Sequence, residues 1–161
     1  MERVILYTTF VAALGSGLIA GTFFIFSVPI MPAFRRLPAR EGMAAMQSIN
    51  VVIINPIFLG VFLGTGVVSA VLTIFALLRW ELPSSGFVVA GAALYLLGSL
   101  LVTMTLNVPL NDALAKADPK TTAGHEFWQN YLSAWTFWNH VRTIASLAAS
   151  TGFILVLTSN G

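Results

Sequence analysis

The chain has 161 residues, 57% hydrophobic and only 9% charged, against roughly 25% charged residues in an ordinary soluble domain, so its natural solvent is lipid. Eight basic and six acidic residues leave a formal charge of +2, too few cations for a phosphate-tracking stripe, which argues against nucleic acid as a partner. The absence of cysteine excludes disulfides, iron–sulfur clusters, thiolate zinc and c-type haem attachment, and the length suits a single membrane domain over residues 1–161.

Four spans follow in chain order. The first covers about residues 4–28. Arg3 precedes it and small residues fill Ala12 to Gly21, as in a secretory signal, but it exceeds the ~7–15 apolar residues of a signal peptide and is read as a membrane helix. Pro29 and Pro32 punctuate its end. Segment 29–50 then carries Met43, Met46 and Gln47 at helical spacing, which predicts an interfacial helix. Span two, about 51–78, opens near Asn55-Pro56, a sequence suited to an N-cap and a first-turn proline. The turn Pro83-Ser84-Ser85-Gly86 leads into span three, about 87–108, which ends at Pro109. In segment 109–137, Phe127, Trp128, Tyr131, Leu132 and Trp135, with Trp138 beyond, form a broad aromatic face. That face predicts a second interfacial helix, with ligand stacking as the alternative. Span four is about 138–158. The expected fold is all-α: a polytopic four-transmembrane-helix bundle with interfacial helical segments in the first and third loops.

An even number of spans puts both termini on one side. Arg35, Arg36, Arg40, Lys116 and Lys120 fall in the two long loops, against Arg3 and Arg79 opposite. The long loops are therefore expected in the cytoplasm and the termini outside. Gly15, Gly17 and Gly21 in span one and Gly60, Gly64 and Gly66 in span two predict close helix contact within the monomer, with a homo-oligomer seam as the alternative.

This connectivity brings the end of span one, the start of span two, the end of span three and the start of span four to one face. Asn50, Asn55, Asn107, Asn111, Asn139, His140 and Arg142 all gather there. Thr103, Asn107 and Asn111 recur every four residues and share a helix stripe if Pro109 does not break it. Trp135, Asn139, Arg142 and Ser146 form another, which should face inward because a cation a turn inside a span seeks protein or a water-filled cavity. His140 points to nearly the opposite side. Each residue also has a structural reading: Asn55 as a cap, Asn107 and Asn111 as partners of carbonyls at a helix end, Arg142 as a snorkelling side chain. Metal chemistry has little purchase. His125 and His140 are the only imidazoles, about 22 Å apart along one helix, and the spans lack the acidic residues of a di-iron bundle. A mixed site joining His125 or His140 to Glu41, Asp112 or Glu126 matches no ligand spacing. Neither a Ser-His-Asp arrangement nor a phosphate-binding glycine loop is present.

Several runs together, GLIAGTFFIFS (17–27), MPAFRRLP (31–38), AMQSIN (45–50), Asn55-Pro56, NVPLN (107–111) and WTFWNHVR (135–142), resemble the anthrone oxygenase-like family of small membrane proteins from bacteria and fungi, over essentially the whole chain. The resemblance implies a four-span fold and, from the fungal members, oxygenation of anthrones to anthraquinones without a conventional flavin or haem. On that basis His140 is expected as general base, with Asn107, Asn111 and Arg142 stabilising a developing oxyanion, and Asn50, Asn55, Trp135, Trp138 and Asn139 holding the substrate. No cofactor is expected. Two other functions fit the same residues: a binder or carrier of a quinone, lipid or similar amphipathic molecule, and a structural partner in a membrane complex.

Overall fold

The structure, a computed structural model, describes residues 3–159. It is helical throughout its regular elements. Four helices are long and apolar enough to cross a membrane: α1 (Arg3–Arg36), α3 (Pro56–Leu78), α4 (Ser85–Lys116) and α5 (Thr122–Ser159). A shorter helix, α2 (Ala39–Val52), stands between the first two. The protein is thus an integral, multi-pass membrane helix bundle. Its helices form a ring in which α1 packs on α3 and α5, and α4 packs on the same two neighbours.

Local chemistry explains the boundaries. Leu37, which precedes Pro38, is extended (φ −81°, ψ 155°) and ends α1, because a proline ring disfavours the helical region for the residue before it. Asn55 caps α3: its Oδ1 accepts from the Ile57 and Phe58 N–H groups at 3.1 and 3.0 Å, and Pro56 occupies the first turn, where no N–H is needed. In the short loop Arg79 pairs with Glu81 at 2.7 Å and holds that carboxyl below its usual range, while the Ser85 hydroxyl donates to the Arg79 carbonyl. Thr121 caps α5 by accepting from the Gly124 N–H at 3.0 Å.

Pro29 and Pro109 do not terminate their helices. A proline inside a helix lacks the N–H and crowds the carbonyl four residues back. Both conflicts are absorbed by widened π-helical turns, Phe26–Ile30 and Thr103–Asn107. Span three therefore continues through Pro109 to Lys116. Span two starts later than the sequence suggests, at Pro56, because residues 51–52 finish α2 and 53–55 turn the chain.

At about 1.5 Å per residue, α5 is far longer than the ~30 Å hydrocarbon core. Its first half, with the ends of α1 and α4 and all of α2, builds a cap beyond the bundle. Met31, Met43, Met46, Leu114, Trp128, Tyr131, Leu132 and Trp135 form the cap's own buried cluster. The aromatic face at 127–138 is consequently not a separate helix on the membrane surface. Trp128 and Tyr131 are 1% exposed, at the centre of this second core. Their rings share this core with Met43 and Met46 of α2, and a Cβ at Gly42 would collide with Trp128.

The glycines divide in a way the small-residue motifs did not anticipate. Cβ atoms at Gly15 and Gly98 would overlap Thr65 and Ala145, so these positions bring α1 to α3 and α4 to α5. Gly21, Gly60 and Gly64 meet nothing within 4 Å; close approach inside the monomer does not explain them.

Candidate functional site

α3 packs along Ser85–Ala93 and Leu94–Leu101 of α4, and the helices part beyond. α3 also begins only at Pro56, so on this side α1, α4 and α5 stand without it. A cavity of about 680 Å³ occupies the gap, within the ~300–1,000 Å³ usual for small-molecule sites. It lies between the bundle core, which contributes Phe23 and Phe62, and the cap core, which contributes Met46 and Trp135. Most of its wall is apolar. The rim includes Val51, Ile54 and Met104, which are 74%, 69% and 62% exposed, so the mouth presents hydrocarbon surface between α3 and α4.

Arg142 is the cavity's deepest polar group, only 4% exposed. Nη1 donates to Thr103 Oγ1 at 3.1 Å and Nη2 to Asn139 Oδ1 at 2.6 Å. Its guanidinium carbon lies 4.1 Å from the Phe23 ring centroid and 5.1 Å from that of Trp135. Two aromatic faces partly compensate a desolvated cation. No carboxylate does so: among the described residues the ion pair is Arg79–Glu81, in the short loop at the far end. Nε has no partner among the described residues, and a guanidinium carries five N–H donors, so it has hydrogens left for a further acceptor.

Asn139 holds this arrangement in place. It is fully buried, and its Nδ2 donates to the Phe23 carbonyl at 2.7 Å and to Ser27 Oγ at 2.6 Å while its Oδ1 receives Arg142. The widened turn at Phe26–Ile30 carries Ser27, and the one at Thr103–Asn107 begins with Thr103, so these two π-helical segments, unlike the third at Leu94–Leu101, each hold a partner of the Arg142–Asn139 pair. Asn107 donates to the Trp135 carbonyl at 3.2 Å and joins α4 to α5. Asn111, on the cavity wall, accepts from the Tyr131 hydroxyl at 2.9 Å. Asn50 lines the cavity too and approaches the same hydroxyl.

The residues singled out from sequence therefore separate into groups. Arg142, Asn111, Asn50 and Trp135 share the cavity; Asn139 and Asn107 support its wall from behind. Asn55 is elsewhere: both halves of its amide serve the backbone of the α2–α3 turn, with Nδ2 donating to the Val52 carbonyl at 3.0 Å. Trp138 packs edge-on against Phe137, outside the cavity lining. His140 is exposed and lines a different pocket, with Arg35 and Arg36, as expected for a helix position about 200° from Arg142. Thr103, Gln47 and Asp112 join the lining. Asp112 was visible as the one carboxylate beside the Asn-x-Pro-x-Asn run, whereas Phe23 and Phe62 carried no signal among so many apolar neighbours.

Among the described residues, no three His, Asp or Glu side chains converge as a metal site would need. His125 contacts the Pro119 carbonyl through Nε2 at 3.0 Å. The anthrone oxygenase family model matches residues 57–152, a stretch that includes Phe62, Thr103, Asn111, Asp112, Trp135, Asn139 and Arg142. No curated protein and no solved structure matches the chain.

Proposed function

The chain belongs to the anthrone oxygenase family, and from that premise we propose that it is a membrane-embedded oxygenase that converts a flat, apolar, anthrone-like substrate to the quinone with dioxygen. The observation that carries this reading is the buried Arg142 guanidinium, lacking a carboxylate partner among the described residues, on the wall of an apolar cavity. A desolvated cation of this kind favours an occupant that is aromatic overall and anionic at one oxygen.

The chemistry follows from the substrate. Loss of a proton from the methylene of an anthrone places negative charge on the carbonyl oxygen, where Arg142 would meet it. The carbanion-like anion gives one electron to dioxygen; the resulting radical and superoxide combine to form a carbon–oxygen bond. Protonation of the peroxide, loss of the second methylene proton and departure of hydroxide leave the quinone. Overall, one substrate and one dioxygen give one quinone and one water. Electrons come from the substrate itself, so no bound cofactor is required.

Asp112, on the cavity lining, is the group best situated to receive the first proton. His140 opens to the other pocket and would need a water chain through the wall. The apolar rim supports delivery of substrate from the bilayer. The basic residues of the cap, Arg35, Arg36, Arg40, Lys116 and Lys120, support a cytoplasmic cap with the termini outside.

The test is oxygen uptake and quinone formation by detergent-purified protein with an anthrone, with metal analysis and an absorption spectrum on the same sample. Turnover above the uncatalysed rate, with substoichiometric metal and chromophore, is the expected result. Saturable binding of the anthrone without turnover would instead identify a carrier. A stoichiometric metal or coloured cofactor that turnover depends on would overturn the cofactor-free mechanism.

A further inference from the structure

Behind the wall that carries Arg142 is a second pocket of about 320 Å³ between the end of α1 and the middle of α5. Arg35, Arg36 and His140 are exposed at its mouth; Ser27, Met31 and Thr136 lie deeper. Every polar side chain on this lining can donate a hydrogen bond, and none is a carboxylate. Neither arginine forms an ion pair among the described residues.

Two hydroxyls at the base are open to a further acceptor. Thr136 Oγ1 is buried with no partner among the described residues, although a threonine in a helix commonly bonds back to the carbonyl four residues earlier, as Thr143 and Thr151 do in this same helix. Ser27 Oγ accepts from Asn139, which leaves its own hydrogen free to donate. Arg35 and Arg36 lie in the last turn of α1, where basic residues also complement the helix dipole. That role accounts for two arginines on α1. It does not account for the donors that α5 supplies opposite them.

We infer that this pocket binds a tetrahedral phosphate-type oxyanion, carried by an anionic lipid headgroup or by a soluble phosphate ester. Adjacent guanidinium groups match the oxygens of a phosphate in charge and geometry, and the hydroxyls and the imidazole supply further donors. The occupant bridges α1 to α5 next to Ser27, whose contact with Asn139 leads on to Arg142. Binding would therefore stiffen the wall that holds the guanidinium, without entering the large cavity.

The experiment uses the full chain in neutral detergent. One arm measures, by native mass spectrometry, retention of phosphatidylglycerol against phosphatidylcholine at equal concentration; the other follows thermal unfolding as inorganic phosphate is added. Arg35→Gln/Arg36→Gln is compared with Arg40→Gln/Lys116→Gln, which removes the same charge from the cap outside the pocket. Expected is a preference of roughly tenfold or more for the anionic lipid, lost in the first pair and kept in the second. Saturable stabilisation by phosphate, with the same dependence on Arg35 and Arg36 and no lipid preference, would identify the soluble source. Equal loss in both pairs, or selectivity in neither arm, overturns the site in favour of diffuse surface charge. If the first pair does not fold, His140→Ala decides in the same two arms: selectivity must fall, and unchanged selectivity refutes the site.

Discussion

Replacing Arg142 by Gln separates a catalytic cation from a structural one. The side chain is 4% exposed, donates to Thr103 and Asn139, and retains an Nε with no partner among the described residues. A substrate anion about 4 Å from the guanidinium, in surroundings of effective permittivity near 20, gains about 4 kcal/mol. That corresponds to roughly a thousandfold in rate, and deletion of a single oxyanion donor commonly costs about 100- to 1,000-fold. Arg142→Gln should therefore lower kcat/KM for an anthrone by about two to three orders of magnitude. Stability should change little. Without the guanidinium, two hydrogen bonds and the stacking on Phe23 and Trp135 disappear, but so does a desolvated charge that has no counter-ion among the described residues, and the net is within about 2 kcal/mol of zero. The assay is oxygen uptake corrected for the uncatalysed rate, with thermal unfolding in the same detergent as the control for folding. Activity within threefold of wild type in a folded variant would refute the assignment. Activity that falls only in proportion to stability would make Arg142 a structural residue.

Other variants probe the rest of the site. Asp112→Asn should slow quinone formation by about 100- to 10,000-fold if the carboxylate is the base; a loss in His140→Gln with Asp112→Asn fully active would move the base across the wall. Asn139→Asp sets a carboxylate against Arg142 and should lower kcat/KM at least tenfold by neutralising the cation; because the variant also loses the donor to the Phe23 carbonyl, thermal unfolding on the same sample checks that the loss is measured on folded protein. Asn55→Ala removes a cap and should destabilise by about 1 kcal/mol with kcat/KM unaltered; a tenfold kinetic loss without destabilisation would return Asn55 to the site. Gly98→Val forces a side chain against Ala145 and should cost about 1–3 kcal/mol in unfolding experiments, whereas Gly64→Ala, with open space around it, should be neutral or slightly stabilising.

Much of the architecture was legible because it depends on composition and period. Uninterrupted apolar runs longer than a bilayer is thick have few alternatives to spanning it as helices, and the connectivity of four such runs brings their polar ends to one face. The helix stripes were readable for the same reason: Trp135, Asn139, Arg142 and Ser146 are all buried, as a cation in a span requires. Less legible was the response to proline. Pro29 and Pro109 read as helix ends, but a widened turn keeps the chain helical at little cost when neighbouring helices hold it.

Sequence alone determined that this protein lies in a membrane, that its helices number at least four, and that Asn107, Asn111, Asn139 and Arg142 gather at one end of the bundle, because charge, hydropathy and helical period act locally. Only the tertiary structure decided which of those polar groups face a common space. The late start of α3 opened the cavity, and α2 and the extended α5 buried the aromatic face as a second core. Those outcomes depend on where helices separate and on what fills the gap. They belong to contacts between residues distant in the chain, and no window along it contains them.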